Sequence, residues 1–333
     1  MKIALITDAW APQINGVVRT WQTVIHESNS LGHEVEVIHP GLFRTIPCPT
    51  YPEIRLAVNL WPRLSQLLGC AGPQAIHIAT EGPLGLAARQ YCLRHRYPFS
   101  TSFHTKFAEY MAKRFRISPK WGYRYLRWFH RPSRAVLIAT PSLKAELEQK
   151  GFQNTFLWTR GVDLALFHPQ KHAHLGYQSP IMLYVGRVAV EKNLEAFLKL
   201  PIAGTKLVVG DGPQRAELEA RYRDAVFVGP QQGEALARYY ASADVFVFPS
   251  LTDTFGLVML EALASGTPVA AYPVTGPIDV IKTFKVGRLH DNLAVATQEA
   301  LDLNRSDCRT YAEGFSWQKC AKLWLDALSP IQL

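Results

Sequence analysis

Two stretches of this chain open in the same way, and that repetition limits the fold more than any other feature. Lys2 to Thr7 is a short apolar run, followed by a Pro/Asn/Gly loop and a helical pattern from about Gly16 to Leu31. Gly32 stops that helix, and Glu34 to His39 is the next apolar run. A β-loop-α-β opening predicts a parallel sheet with ligand chemistry at the carboxyl ends of its strands. Further runs at Ala75 to Ala79, Phe99 to Phe103, Ala135 to Ala139 and Thr155 to Trp158 alternate with helical stretches. A polar segment from Phe167 to Pro180, rich in His, Pro and Gln, reads as a connection. The pattern then restarts: strand Ile181 to Val185, helix from Lys192, strand Lys206 to Val209, helix after Gly212, strand Ala225 to Val228, helix from Glu234 and strand Val245 to Phe248. A helix from about Gly256 and a strand from Pro268 to Ala271 complete the second sheet. The expected fold is α/β, with doubly wound domains over residues 1–165 and 166–315 whose strand carboxyl ends face a shared cleft. The remaining residues, 316–333, hold a helix from Ser316 to Leu328 with Trp317, Leu323, Trp324 and Leu325, expected to pack back across the first domain.

At 333 residues and 48% hydrophobic content, two ordinary cores are within reach. No apolar run approaches the roughly 18 residues of a spanning helix, and the opening run is too short for a signal-peptide core, so a cytoplasmic protein is expected. Cys48, Cys70, Cys92, Cys308 and Cys320 show neither C-x-x-C nor paired His spacing, which argues against a zinc site or a disulfide framework. The charge is uneven: residues 1–165 hold 20 Lys+Arg against 10 Asp+Glu, and the rest 16 against 17.

The run Asp253-Thr254-Phe255-Gly256-Leu257-Val258-Met259-Leu260-Glu261 carries the densest chemistry. Ser250, Thr252, Asp253 and Thr254 are N-cap types, and Gly256 lets the backbone approach a ligand, so the first amides of the next helix offer an anion socket. Asp253 stands before the first turn and Glu261 about two turns on. The pattern suits a nucleotide diphosphate sugar, with amides for the diphosphate and one carboxylate each for ribose and sugar. A capped helix with Glu261 in solvent is the plain alternative.

Arg187 follows the first strand of the second half, and Lys192 lies five residues on, so both cations can aim at one anion and neutralise a leaving group as a metal would. No Asp-x-Asp pair is present to hold a divalent ion. Gly210-Asp211-Gly212-Pro213 is a tight turn whose default role is structural. Asn15-Gly16-Val17 opens a helix and is a second candidate phosphate or acceptor contact. Ser102-Phe103-His104-Thr105 places an imidazole at a strand's carboxyl end.

Taken with Ala11-Pro12-Gln13-Ile14-Asn15-Gly16-Val17, these motifs resemble a family 4 retaining glycosyltransferase of the GT-B fold, two Rossmann-like domains facing a central cleft, over nearly the whole chain. The family usually has Glu where this chain has Asp253, one methylene shorter. The resemblance implies Arg187 and Lys192 on the donor diphosphate, and the amides of Phe255, Gly256 and Leu257 as its sugar and phosphate cradle. It implies Glu261 on the ribose, Asp253 orienting the sugar, His104 beside the anomeric centre, Gly16 and Gly212 near the donor, and Val228 holding the base through its backbone. Transfer without a protein nucleophile, metal or cofactor is implied. The Asp-Thr-Phe-Gly version is similar to enzymes that move glucose, glucuronate or mannose from a nucleotide sugar to a lipid such as diacylglycerol. Transferases of lipopolysaccharide or exopolysaccharide assembly share these motifs. A nonenzymatic nucleotide or RNA binder would need no set like Arg187, Lys192 and Glu261.

From Lys113 to Arg134 the chain has eight cations and six aromatics and no acid. Lys113, Arg114, Arg116, Lys120, Trp121, Arg124, Arg127, Trp128 and Arg131 are the candidate membrane residues: cations meet anionic lipid while Trp settles at headgroup depth. A solvated helix and a nucleic-acid site are the other accounts, and no nucleic acid is expected. The resulting expectation is a peripheral enzyme on the inner face of the cytoplasmic membrane, taking a nucleotide-sugar donor and a lipid or glycan acceptor.

Overall fold

The computed structural model describes residues 1–13, 15–48, 51–104 and 118–331, with backbone alone for 51–54. The chain divides into two compact units, Met1–Arg160 with Trp317–Leu333, and Gly161–Ser316.

Unit 1 begins β1 (Lys2–Ile6), α1 (Gly16–Ser30), β2 (Glu34–Ile38), β3 (Arg44–Cys48), β4 (Tyr51–Val58), α2 (Arg63–Ala71), β5 (Ala75–Ile78) and α3 (Pro83–His95). It continues with β6 (Ser100–Phe103), α4 (Pro119–His130), β7 (Val136–Ile138), α5 (Pro141–Gln149) and β8 (Thr155–Leu157). The sheet order is β2-β1-β5-β6-β7-β8, parallel throughout. Its central strands are buried on both faces, as parallel strands under helices must be, so they read as continuous apolar runs. The antiparallel β3–β4 hairpin was not expected from the sequence; Arg44 to Val58 lacks a clean period-2 alternation.

Unit 2 runs β9 (Ile181–Val185), α6 (Leu194–Leu198), β10 (Thr205–Val209), α7 (Arg215–Arg221), β11 (Ala225–Gly229), α8 (Gly233–Ser242), β12 (Val245–Phe248) and α9 (Leu257–Ala264). Then come β13 (Val269–Ala271), α10 (Pro277–Val280), β14 (Gly287–Leu289), α11 (Leu293–Ala300) and α12 (Arg305–Ala312). Its parallel order is β11-β10-β9-β12-β13-β14. The second sheet therefore does not end at the strand near Pro268. The three-residue β14 adds a sixth strand, too short to show a pattern in the sequence. The helix expected from Lys192 is a 3-10 turn, Val190–Lys192, and α6 starts at Leu194 after Asn193 takes a left-handed conformation (φ 54°).

The chain returns to unit 1 as α13 (Trp317–Asp326). Trp324 of α13 and Trp21 of α1 meet edge to face at 5.2 Å, and Trp158 lies 4.9 Å from Trp21. All three rings are fully buried. Aromatic burial on this scale dominates local packing energy, and Trp158 Nε1 donates to the Cys320 carbonyl (2.8 Å), which fixes the register of α13. No helix among the described residues is long and apolar enough to cross a membrane.

Candidate active site

In unit 2 the strand order reverses between β9 and β12, and open parallel sheets bind ligands at such a switch point, beyond the strand carboxyl ends. Two loops frame it: Gly186 to Lys192 after β9, and Pro249 to Gly256 after β12. Asn193 Nδ2 ties them by donating to the Pro249 carbonyl (3.1 Å). The turn after β10 packs against the first loop so closely that a Cβ on Gly210 would sit 1.9 Å from the Gly186 carbonyl oxygen, which is why glycine is needed there. Val188 N–H donates to the Asp211 carbonyl (2.9 Å), and Gly212 N–H to Asp211 Oδ1 (2.8 Å), so Gly212 belongs to a tightly bonded turn.

Lys192 Nζ bridges the switch point to both carboxylate oxygens of Asp253, at 2.6 and 2.9 Å. The sequence places Lys192 and Asp253 on the same ligand; the fold places them on each other. Gly256, not Ser, Thr or Asp, is the N-cap of α9; its φ of 85° suits glycine, and a Cβ there would meet Met259 Cε at 2.7 Å. Gly256 itself has no side chain to cap this end. The amides of Leu257 and Val258, the first of the helix, have no carbonyl one turn back within it. Phe255 is buried, and the Ser250 and Thr252 hydroxyls beside it are buried with no hydrogen-bond partner among the described residues.

Glu261 is 6% exposed rather than solvated, which removes the plain capped-helix account, and its Oε2 accepts from Tyr240 Oη of α8 at 2.8 Å. Tyr240 escapes sequence reasoning because the apolar spacing of α8 shows that the ring is buried but not where its hydroxyl points. Arg187 lies partly exposed after β9, its carbonyl accepting from Tyr184 Oη (2.8 Å). Val228 is the penultimate residue of β11, its carbonyl accepting from Gln231 Nε2 (3.3 Å).

Unit 1 reverses between β1 and β5. Asp8 fills that point, accepting from the amides of Leu84 (2.8 Å) and Gly85 (3.2 Å) at the start of α3 and from Thr80 Oγ1 (2.8 Å). Burial pushes its carboxyl up from the usual value against the pull of those hydrogen bonds. Gly16 opens α1, and Asn15 Oδ1 already accepts from the Val17 and Val18 amides at 3.0 Å each. His104 follows β6. Trp21 Nε1 donates to its Nε2 (3.0 Å), and Arg160 Nη2 lies 3.4 Å from its Nδ1. Desolvation first, then the Arg160 cation and His77, hold His104 well below the ordinary imidazole value, so it is neutral at physiological pH. His77, beneath it, sits between Ser100 Oγ and Ser102 Oγ at 2.7 Å each and is pushed down by burial to about 3.

On α4, Tyr123, Leu126, Phe129 and His130 are buried, while Lys120, Trp121, Arg124, Arg127 and Trp128 are exposed, as is Arg131 at its end. Trp121 and Trp128 are 65% and 49% exposed. The 3.6 period thus sorts one side of the helix into core and the other into cations with large aromatics. Lys113, Arg114 and Arg116 lie outside the described residues.

Comparison with known proteins agrees with this geometry. A model described as "Glycosyltransferase Family 4" matches residues 14–166, and one described as "Glycosyl transferases group 1" matches 179–303. The chain is 30% identical to a GDP-mannose-dependent alpha-mannosyltransferase of Mycolicibacterium smegmatis over 87% of this chain and 84% of that protein. It is 28% identical to an alpha-monoglucosyldiacylglycerol synthase of Streptococcus pneumoniae over 90% of this chain and 78% of that one. Sucrose-phosphate synthase from Thermosynechococcus elongatus has the same fold (TM-score 0.80, 23% identity, 97% of each chain). With doubly wound units and these matches in hand, the chain belongs to glycosyltransferase family 4, with the GT-B fold, and is a hexosyltransferase acting on nucleotide sugars.

Proposed function

We propose that the protein is a retaining, metal-independent transferase that moves glucose, glucuronate or mannose from a nucleoside diphosphate sugar to a membrane lipid such as diacylglycerol. The observation that carries this reading is the Lys192–Asp253 pair across the unit 2 switch point, at the open start of α9 and in front of buried Glu261. A cation, two helix-start amides and two carboxylates are the groups a sugar diphosphate needs. Arg187 and Lys192 neutralise the diphosphate as its bond to the anomeric carbon breaks. Asp253 is released to the sugar hydroxyls, Glu261 takes the ribose, and the Val228 backbone holds the base. The bond to the acceptor oxygen forms on the face the diphosphate leaves, and a departing phosphate oxygen takes the acceptor proton. Neutral His104 contributes by hydrogen bonding rather than as an acid. The protein's share is positioning and electrostatics. The exposed side of α4 supports a lipid acceptor: its cations and Trp121 and Trp128 suit an anionic membrane surface, and the pneumococcal relative is an alpha-monoglucosyldiacylglycerol synthase.

The test is a thermal-shift screen of UDP, GDP and ADP sugars followed by transfer of labelled hexose from the stabilising donor to diacylglycerol. A donor at 100 times its Kd stabilises by about 2.7 kcal/mol. Stabilisation by none of them removes the donor-site reading; turnover only on a soluble glycan removes the lipid acceptor.

A further inference from the structure

Unit 1 has a second polar feature at the opposite edge of its sheet from the strand carboxyl ends. A hollow of about 490 Å³ is lined by Arg96, Phe99, Arg131, Ser133, Arg134 and Asn154, among others. Phe99 precedes β6, Arg134 precedes β7 and Asn154 precedes β8, so the hollow sits at the amino ends of three neighbouring strands. Its floor is internally bonded. Arg134 N–H donates to the Phe99 carbonyl (2.8 Å), Val136 N–H to the Asn154 carbonyl (2.8 Å), and Asn154 Nδ2 to the Ser133 carbonyl (2.9 Å). The Ser133 hydroxyl donates to the His130 carbonyl (2.7 Å).

The three guanidiniums have no such occupation. Arg96, Arg131 and Arg134 are exposed, make no ion pair or side-chain hydrogen bond with any described residue, and share the hollow with no carboxylate. Arg96 closes α3 in the left-handed region (φ 57°), where the end of α2 uses Gly72. Attraction to helix carboxyl ends accounts for Arg96 and Arg131 taken singly, because each ends a helix. It does not account for Arg134, nor for three like charges gathered around one hollow, an arrangement that repels itself until an anion enters. Arg131 directly follows α4, so the hollow adjoins the end of the helix whose exposed side carries Arg124, Arg127 and Trp128. The guanidinium of Arg89 lies 4.0 Å over the Trp128 ring and holds it at this boundary.

We propose that Arg96, Arg131 and Arg134 form a receptor for the phosphodiester headgroup of an anionic phospholipid, distinct from the donor and acceptor sites. Guanidiniums suit phosphate oxygens through paired, planar donors, and the exposed Trp128 beside them suits the interfacial part of a lipid rather than a free nucleotide. This inference rests on the reading of α4 as a membrane face. It adds a headgroup that the enzyme binds without glycosylating.

The experiment compares full-length wild type with the double variant Arg96→Gln/Arg134→Gln, which leaves α4 intact, and with the control Arg44→Gln/Arg63→Gln elsewhere on unit 1. Cosedimentation is measured with phosphatidylcholine vesicles with and without phosphatidylglycerol. Each cation near an anionic surface contributes about fivefold, so the hollow variant should lose about thirtyfold in affinity for the phosphatidylglycerol vesicles, and the control far less. Soluble dihexanoyl phosphatidylglycerol should raise the Tm of wild type but not of the hollow variant, while transfer to a detergent-dispersed acceptor stays unchanged in both. If wild type binds the vesicles and the hollow variant binds as well as the control, the headgroup receptor is overturned and the membrane face stands. If inorganic phosphate raises the wild-type Tm as much as the short-chain lipid, the hollow is a plain oxyanion site and the lipid assignment is overturned. If wild type binds neither vesicle, the membrane face and this receptor fall together.

Discussion

Lys192 Nζ lies 2.6 and 2.9 Å from the two carboxylate oxygens of Asp253, a contact between loops that follow different strands and are 61 residues apart. The pair joins the cation assigned to the donor diphosphate to the carboxylate assigned to the donor sugar. Each holds the other in place across the switch point, so both side chains are fixed by the fold rather than free to rotate.

Replacing either end of the donor site should separate binding from folding. Lys192→Ala and Glu261→Ala each lose a charge-assisted contact worth about 1.5 to 3 kcal/mol, so kcat/KM should fall at least tenfold to a hundredfold while circular dichroism stays native. Near wild-type turnover in either folded variant would withdraw the corresponding role.

Tyr240 is expected to act on donor binding through Glu261, whose carboxylate it holds. Tyr240→Phe leaves one oxygen of a buried carboxylate without its hydroxyl partner, at a cost of about 1 to 3 kcal/mol. The donor KM should rise more than kcat falls. A lowered Tm with unchanged donor KM would leave Tyr240 a purely structural group.

The imidazoles of unit 1 make stability pH-dependent. His77 titrates near 3 in the folded protein and near 6.5 when unfolded, so below 6.5 the unfolded state binds the extra proton. Its contribution is fully present above about pH 6.5 and is lost as pH falls toward 3, by at most about 1.4 kcal/mol per pH unit. His104, also held low, acts in the same direction. Denaturant melts between pH 7 and 5 should show falling stability, and His77→Gln, which keeps polar contacts without a titrating ring, should flatten the dependence. Equal slopes in wild type and variant would contradict this account.

Because Arg187 and Lys192 are assigned to leaving-group charge, transfer should persist after exhaustive EDTA treatment, and the product should keep the donor's α configuration. Anomeric assignment by NMR and activity with and without added Mg²⁺ or Mn²⁺ decide both points. Inversion, or recovery only on adding metal, would count against the proposed mechanism.

Arg124→Glu/Arg127→Glu/Arg131→Glu should release the enzyme from anionic vesicles at low salt and depress activity on lipid acceptors, leaving the donor-induced Tm shift intact. The attraction in wild type should itself fade as ionic strength rises, since it is screened over about 10 Å at 0.1 M salt. Cosedimentation of the triple variant at low salt would remove the membrane role of α4.

The sequence by itself determined the class of fold and the order of its parts. Continuous apolar runs such as Ile181 to Val185, alternating with Gly-stopped helical patterns, can satisfy their backbones and bury both faces only in parallel sheets covered by helices. It also supplied the residue types proposed for the donor site, because Asp253, Gly256 and Glu261 lie within a few turns of one another, where local geometry fixes their spacing. The tertiary structure decided everything that depends on strand order. Lys192 meets Asp253 because β9 and β12 are neighbours; Tyr240 meets Glu261 because α8 and α9 pack together; Asp8 meets Thr80 because β1 lies beside β5. The sequence placed Tyr240 in a helix, but a hydroxyl's partner across 21 residues, or a hollow lined from α3, the segment after α4 and three strand ends, has no local signature. Such contacts are set when nonlocal elements close on one another, and the energy that selects them belongs to the packed whole rather than to any stretch of the chain.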